Sequence, residues 1–321
     1  QPLFLFVHTY EVHQPFAPSA ADLKTFDTDY AGPLREVWSN LRTRIDAGEA
    51  LNDGRALLKD AADFGKAETD FLRALYQAEV HATDRALGRL LASIEQRFGA
   101  DQALLAITSD HGEEFGEHQR FGHEQLFGET LRVPLILRLP DQRHTGRVIS
   151  QPIAQFDLMP SLLELCGLPI PAPIEAQSFV GELENGTFAE RELIAETTEG
   201  LYAPTTHLDQ LRARRSSGFA YLERNPSPDP SAPRRDLPHL PYGGSLFDLN
   251  ADPGEQSPVH TPSNPGSPRH RGLADAAHQR LNAQRQRSEA LALQWATGHS
   301  LLPADQTTVE QLKRLGYLPG E

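Results

Sequence analysis

Apolar and polar positions along the chain fall into distinct textures. "LFLFVHT" (Leu3–Thr9), "ALLAIT" (Ala103–Thr108) and "VPLILRL" (Val133–Leu139) are short continuous apolar runs, the pattern of strands covered on both faces. Between the first two, Val80, Thr83, Leu87, Leu90, Leu91 and Ile94 recur at helical spacing, which predicts an amphipathic helix over about Ala67–Phe98. "QFDLMPSLLELCGLP" predicts another helix, with Asp157 near its start and Gly167 at its end. Strands alternating with helices predict an α/β fold built on a mostly parallel, doubly wound sheet. The first run opens the sequence with no initiator Met before it. The sheet is therefore expected to be incomplete on its N-terminal side, in the C-terminal part of a longer protein.

After about Pro171 the texture changes. "ELIAET", "QLRARRSSGFAYLER" and "GGSLFDL" predict short strands of a small antiparallel sheet, and "LADAAHQRLNAQRQRSEALALQWAT" predicts a long helix. Two Pro/Ser-rich stretches, about 225–241 and 256–272, read as loops or flexible insertions. The expected division is an α/β part over residues 1–175 and a small α+β subdomain over 176–321.

Charge narrows the partners. The 321 residues carry 44 acidic against 30 basic side chains, a net charge of -14. That argues against nucleic acid or an anionic membrane as the main partner, since both need clustered positive charge. No apolar run reaches the roughly 18–20 residues that span a bilayer. Cys166 is the only cysteine, so there is no disulfide within the chain and no thiolate metal cluster. At the end of an apolar helix it reads as a small core residue.

The chemistry concentrates in "AITSDHGEEFGEHQRFGHEQLFGE", where an apolar run stops abruptly at Asp110, His111 and Gly112, with His118 and His123 following. Ligands in open parallel sheets sit beyond the carboxyl ends of the strands, and a carboxylate beside an imidazole is half of a divalent-cation site. Two other readings stand beside it: a strand-ending turn with a solvated acidic loop, and a zinc cluster of His111, His118 and His123. The spacing of those histidines matches no common zinc pattern.

Several segments together resemble the sulfatase family of the alkaline-phosphatase-like hydrolases. "TSDHGEEFGEH…FGHEQLFGETLRVPLILRLP" is similar to its T-S/A-D-H/N-G block and the following L-Y-E-E-x-x-R-V-P-L segment. "FLFVHTYEVHQPF" resembles F-V-H-x-x-D-P-H-x-P-Y, and "IAQFDLMPSLLELCGLPIP" resembles D-I-x-P-T-L-L-x-L-A-G-x-P. "LRARRSSGFAYLE", "LFDLNADPGEQ" and "QLKRLGYL" follow in the family's order.

What the resemblance implies is a metal-dependent sulfatase acting on small-molecule or glycan sulfate esters. Asp110 and His111 would be two ligands of the metal, Ca2+ by family habit, with Mn2+ or Zn2+ also suited to His111 in place of the more usual Asn. His13 falls on the sulfate-binding histidine and His123 on a Lys that contacts the sulfate. His8 and His118 take structural roles. Phe127 and Phe247 stand in for tyrosines as loop or packing changes, and Phe16, Phe26, Tyr30 and Trp38 are expected to anchor the core rather than line a pocket.

The family's nucleophile, a Cys or Ser of C/S-x-P-x-R converted to formylglycine, and its preceding Asp pair have no counterpart here. Ser231-Ala232-Pro233-Arg234-Arg235 matches formally, but in a Pro-rich loop and in the wrong order. The nucleophile is therefore expected in a missing N-terminal half. The same residues would also serve a phosphate or phosphonate ester hydrolase, and a truncated, non-catalytic chain is the remaining alternative.

Overall fold

The structure, a computed structural model, describes residues 3–49, 56–99, 102–172, 174–198, 210–216, 218–226 and 240–298. The Ser231–Arg235 match and the "QLKRLGYL" ending lie outside them. Two compact units result, Gln1–His123 with Arg132–Gly146, and Glu124–Leu131 with Arg147–Glu321.

The first unit is organised around a helical core. Helices α1 (Ala20–Leu23), α2 (Pro33–Asp46) and α3 (Lys66–Phe98) bring together Phe16, Leu23, Tyr30, Leu34, Trp38, Leu41, Phe71, Leu72, Leu75 and Ala78. Ser19 caps α1 by accepting the Asp22 amide, and Pro33 starts α2, both ordinary helix openings. The expected aromatic anchoring holds: Phe16, Tyr30 and Trp38 are buried and Phe26 packs against them. The stripe of α3 lies elsewhere than its periodicity implied. Its buried positions are Phe71 to Ala78, whereas Val80 is exposed and Leu87, Leu90 and Ile94 are half-buried. Only the first half of the helix meets the core, and Arg138 reaches Glu95 in the second half.

Strand β1 (Leu105–Thr108), hairpin β2 (Glu114–Phe115) and β3 (Phe121–Gly122), and strand β4 (Leu135–Arg138) complete the unit. β1 pairs with β4 antiparallel, Leu105 opposite Arg138 and Thr108 opposite Leu135. This departs from the parallel sheet expected of the sequence. The return from β1 to β4 passes through the β2–β3 hairpin and a four-residue helical turn, Gly128–Leu131, with no long crossover helix of the kind that joins parallel strands. Among the described residues every paired strand is antiparallel. Leu3–Thr9 also departs from expectation: it forms no strand, and Phe4 and Phe6 are 85% and 77% exposed. An apolar run becomes a strand only where a ladder partner meets it, and among the described residues none pairs with Leu3–Thr9.

The second unit is a four-stranded antiparallel meander, β5 (Leu193–Thr198), β6 (Gln210–Ser216), β7 (Phe219–Asn225) and β8 (Gly243–Asp248), as the sequence pattern predicted. Side chains alternate between its faces. Leu211, Ala213, Ala220, Leu222 and Phe247 pack with Leu126 and Phe127, the latter two beside the short helix α4 (Gly128–Leu131). Phe127 and Phe247 meet edge to face, so both pack in this core. On the other face Tyr221 and Leu246 pack against Ala274, Ala277 and Leu281 of a long helix that follows the meander.

Before the meander come α5 (Leu158–Leu165) and α6 (Val180–Asn185), and after it α7 (Pro268–Gly298). Gly167 (φ +67°) ends α5, with the Leu168 amide bonded to the Leu163 carbonyl. Asp157 lies buried at the start of α5 and accepts from the Gln177 amide and from Arg191 at 2.6 Å. Cys166 is exposed, contrary to the core position expected of it; the helix turns its C-terminal end outward. The Pro/Ser-rich stretch 256–272 is fixed locally, not free: the Val259 amide donates to Leu246 and the Leu246 amide to His260. Among the described residues no helix is long and apolar enough to cross a membrane.

Two buried carboxylates give tests of these units. Glu255 is 1% exposed, takes Arg215 at 2.6 and 2.7 Å and accepts the Gly128 amide at 2.7 Å. Glu255→Ala leaves the Arg215 charge buried without this partner, and the expected loss is about 3–5 kcal/mol of unfolding free energy in urea; a loss under about 1 kcal/mol contradicts the assignment. Glu79 on α3 accepts the Ala17 amide at 2.7 Å, while its other oxygen is buried without a hydrogen-bond partner among the described residues. Burial pushes its carboxyl up to about 8, against the pull of the Ala17 amide. The unfolded chain then loses this proton near the usual 4.5 while the fold keeps it, so stability falls as pH rises from there to about 8. Glu79→Gln is expected to flatten that fall in Tm, and an unchanged pH profile excludes it.

Candidate active site

The Asp-His-Gly turn is built by β1. Thr108 Oγ1 donates to the Pro134 carbonyl at 2.8 Å, Ser109 Oγ to the His111 carbonyl at 2.6 Å, and the His111 amide to Asp110 Oδ1 at 3.0 Å. These bonds fix the chain as it leaves the strand. His111 Nδ1 lies 2.8 Å from the Gly112 carbonyl. A carbonyl only accepts, so Nδ1 carries the proton and a neutral His111 has its lone pair on Nε2. Asp110 Oδ2 lies 3.8 Å from that Nε2.

His13 reaches the same place from the N-terminal segment. Its amide bonds to the Tyr10 carbonyl at 3.0 Å, and its Nδ1 donates to the Gln14 carbonyl at 2.7 Å. The rings of His13 and His123 are 5.3 Å apart, and those of His111 and His123 stack at 4.1 Å. Three histidines singled out from sequence are thereby brought together, all within the first unit. Asp110 is their neighbour through His111, with its side chain 63% exposed. His118 is buried, as a structural residue would be, and His8 is exposed beside Phe6 and Tyr10.

Glu113 and Gln14 complete the group, and sequence reasoning singled out neither. Glu113 Oε2 lies 3.2 Å from His123 Nδ1, and Oε1 accepts from Gln14 Nε2. The Glu113 side chain is only 5% exposed. "HGEE" offers two adjacent glutamates that read as a solvated acidic loop. The signal available was position: Glu113 directly follows the turn glycine, and Gln14 directly follows His13.

The donor set fits a divalent cation. Asp110 and His111 offer an oxygen and a nitrogen 3.8 Å apart, near the separation of two ligands on one ion with bonds of about 2.1–2.4 Å. One donor atom from each of His111, Glu113 and His123 also lies within 4.8 Å of the others. Chemically the site unites carboxylate oxygens, imidazoles able to donate to an anion, and a carboxylate that orients one of those imidazoles.

Comparisons with known proteins identify the family. Residues 1–168, just over half of the chain, match the family model described as Sulfatase. The multifunctional alkaline phosphatase superfamily protein PehA of Trinickia caryophylli is 26% identical over 58% of this chain and 38% of its own length. Human arylsulfatase K is 26% identical over 61% of this chain and 35% of its own length. The chain thus spans well under half of these relatives.

In fold it is similar to a protein solved with its substrate D-glucosamine-2-N,6-O-disulfate, at a TM-score of 0.57 and 20% identity over 89% of this chain and 60% of that one. It is also similar to the phosphonate monoester hydrolase of Silicibacter pomeroyi, at a TM-score of 0.56 and 21% identity over 84% and 49%. With the family model matching across the Asp-His-Gly turn and both flanking histidines, the chain belongs to the sulfatase family.

Proposed function

We propose that this chain is the metal- and sulfate-binding part of a sulfuric ester hydrolase. The observation that carries the reading is the convergence of His13, His111 and His123 at the turn that presents Asp110. Asp110 and His111 would hold a divalent ion, which when bound offsets negative charge on the group being transferred. His13 and His123 would contact the sulfate oxygens. Glu113 fixes the orientation of the His123 ring, so that His123 can hold or deliver a proton at the leaving group.

The reacting nucleophile, a formylglycine hydrate by family resemblance, would come from a segment outside these residues. Cys166 is an exposed thiol at the end of α5 in the second unit and has no part in the reading. The substrate class follows from the arylsulfatase relative and from the sulfated sugar bound by one structural neighbour. A phosphate or phosphonate ester is the second reading. PehA and the phosphonate monoester hydrolase favour it, as does His111, a ligand suited to Mn2+ or Zn2+.

Turnover of an aryl sulfate and of the matching aryl phosphate tests the proposal, with the nucleophile-bearing segment supplied. The sulfate is expected to be the faster substrate, and a faster phosphate selects the second reading. His123→Ala is expected to lower kcat on the order of 10²–10⁴-fold, and Asp110→Ala to abolish turnover. Full activity in Asp110→Ala overturns the site. The 321-residue chain alone is expected to turn over neither ester.

A further inference from the structure

We propose that this chain by itself holds a zinc-class divalent ion on His111, Glu113 and His123, a ligand set distinct from the Asp110–His111 pair. The inference concerns the chain without the nucleophile-bearing segment and does not depend on the hydrolase reading; while zinc is bound, His111 and His123 are withdrawn from the roles proposed for them above.

The first support is the chemistry of the donors. Two imidazoles and one carboxylate suit a borderline-soft ion such as Zn2+, whereas Ca2+ takes six to eight oxygens. The second is spacing. Ligands on a tetrahedral zinc with bonds of about 2.0–2.1 Å lie about 3.3 Å apart; Glu113 and His123 are already 3.2 Å apart. The third residue falls within 4.8 Å, so closure takes a movement of up to about 1.5 Å.

The third support is what stands behind the donors. Metal-bound histidines hand their other N–H to a carbonyl or carboxylate, and bound carboxylates are hydrogen-bonded in turn. His111 gives Nδ1–H to the Gly112 carbonyl, and Glu113 takes Gln14 Nε2 on Oε1. Burial sets Glu113 and His123 apart from Asp110, with His111, 35% exposed, between them. The Glu113 and His123 side chains are 5% and 11% exposed and that of Asp110 is 63% exposed. Water competes little for the first two, which strengthens their hold on an ion.

Zinc alone, added to the full chain stripped of metal, is the probe. Competition with a chromophoric chelator is expected to show one Zn2+ per chain, bound at least about 100-fold more tightly than Ca2+. Glu113→Gln and His123→Ala are each expected to weaken zinc by more than about 100-fold, and Gln14→Ala, which removes only the supporting hydrogen bond, by about 10–100-fold. No stoichiometric zinc, or wild-type affinity in either ligand variant, overturns the inference. So does Asp110→Asn weakening zinc more than Glu113→Gln does.

A measurement on the unaltered chain guards against variants that misfold. Imidazole ¹⁵N resonances of His111 and His123 are expected to shift with one equivalent of zinc, while those of His81 and His278 stay. Shifts confined to other histidines refute the site. Zinc bound here, with no ester turnover even when the nucleophile-bearing segment is supplied, would defeat the hydrolase reading alone; turnover with that segment but no zinc bound by the chain alone would defeat this inference alone.

Discussion

The candidate site depends on one hydrogen bond, from Gln14 Nε2 to Glu113 Oε1, between residues 99 apart in sequence. It ties the N-terminal segment carrying His13 to the turn carrying Asp110 and His111. The carboxylate divides its two oxygens, one for Gln14 and one facing His123, so a change at Gln14 is felt at both histidines. A carboxylate this deeply placed is stable only with its partners in position, because an unsatisfied buried acceptor costs about 1–3 kcal/mol. Aromatic packing supports the arrangement from below. Phe115, two residues past Glu113, stacks on Phe16, two residues past Gln14, and Tyr76 of α3 closes on both rings.

The second unit uses buried charge differently. Arg212 and Glu223 pair within the face of the meander that meets α7, and His278 of that helix approaches Glu223 at 2.6 Å. Burial works to raise the Glu223 carboxyl, but Arg212, Asn225 and His278 together hold it below its ordinary value. Burial and Glu223 push the nearby Tyr221 hydroxyl well up, so it stays a neutral donor. Such a network stabilises little by itself, but it penalises any packing of α7 that would leave one member unpaired. A long helix with a modest apolar stripe gains its register this way.

Much of this was legible in the sequence, and the failures share a cause. α3, α5, α7 and the four-strand meander follow from local periodicity, turn residues and helix ends, signals a short window contains. The Asp-His-Gly turn was visible because an apolar run stops on residues of unusual chemistry. Leu3–Thr9 was misread, and the antiparallel pairing of β1 with β4 was not foreseen, because a strand's state depends on its ladder partner, which no local pattern specifies. Cys166 was misplaced for a similar reason: apolar neighbours give a helix a buried face, but not the residues that lie on it. Glu113 and Glu255 were overlooked because acidic residues in loops are mostly solvated. Only the three-dimensional neighbourhood, Gln14 and His123 in one case and Arg215 in the other, makes them partners. Pairing also explains why the stretch 256–272, loop-like by composition, is held against β8.

The central claim is that a single side-chain contact gathers histidines from two distant segments. The most direct measurement is the nuclear Overhauser contact between the ring protons of His13 and His123, whose centroids lie 5.3 Å apart. It should be recorded in the unaltered chain and in Gln14→Leu. The account predicts a contact in the first that disappears in the second while the spectrum of the helical core is retained. No contact in the unaltered chain, or the same contact in Gln14→Leu, would contradict it.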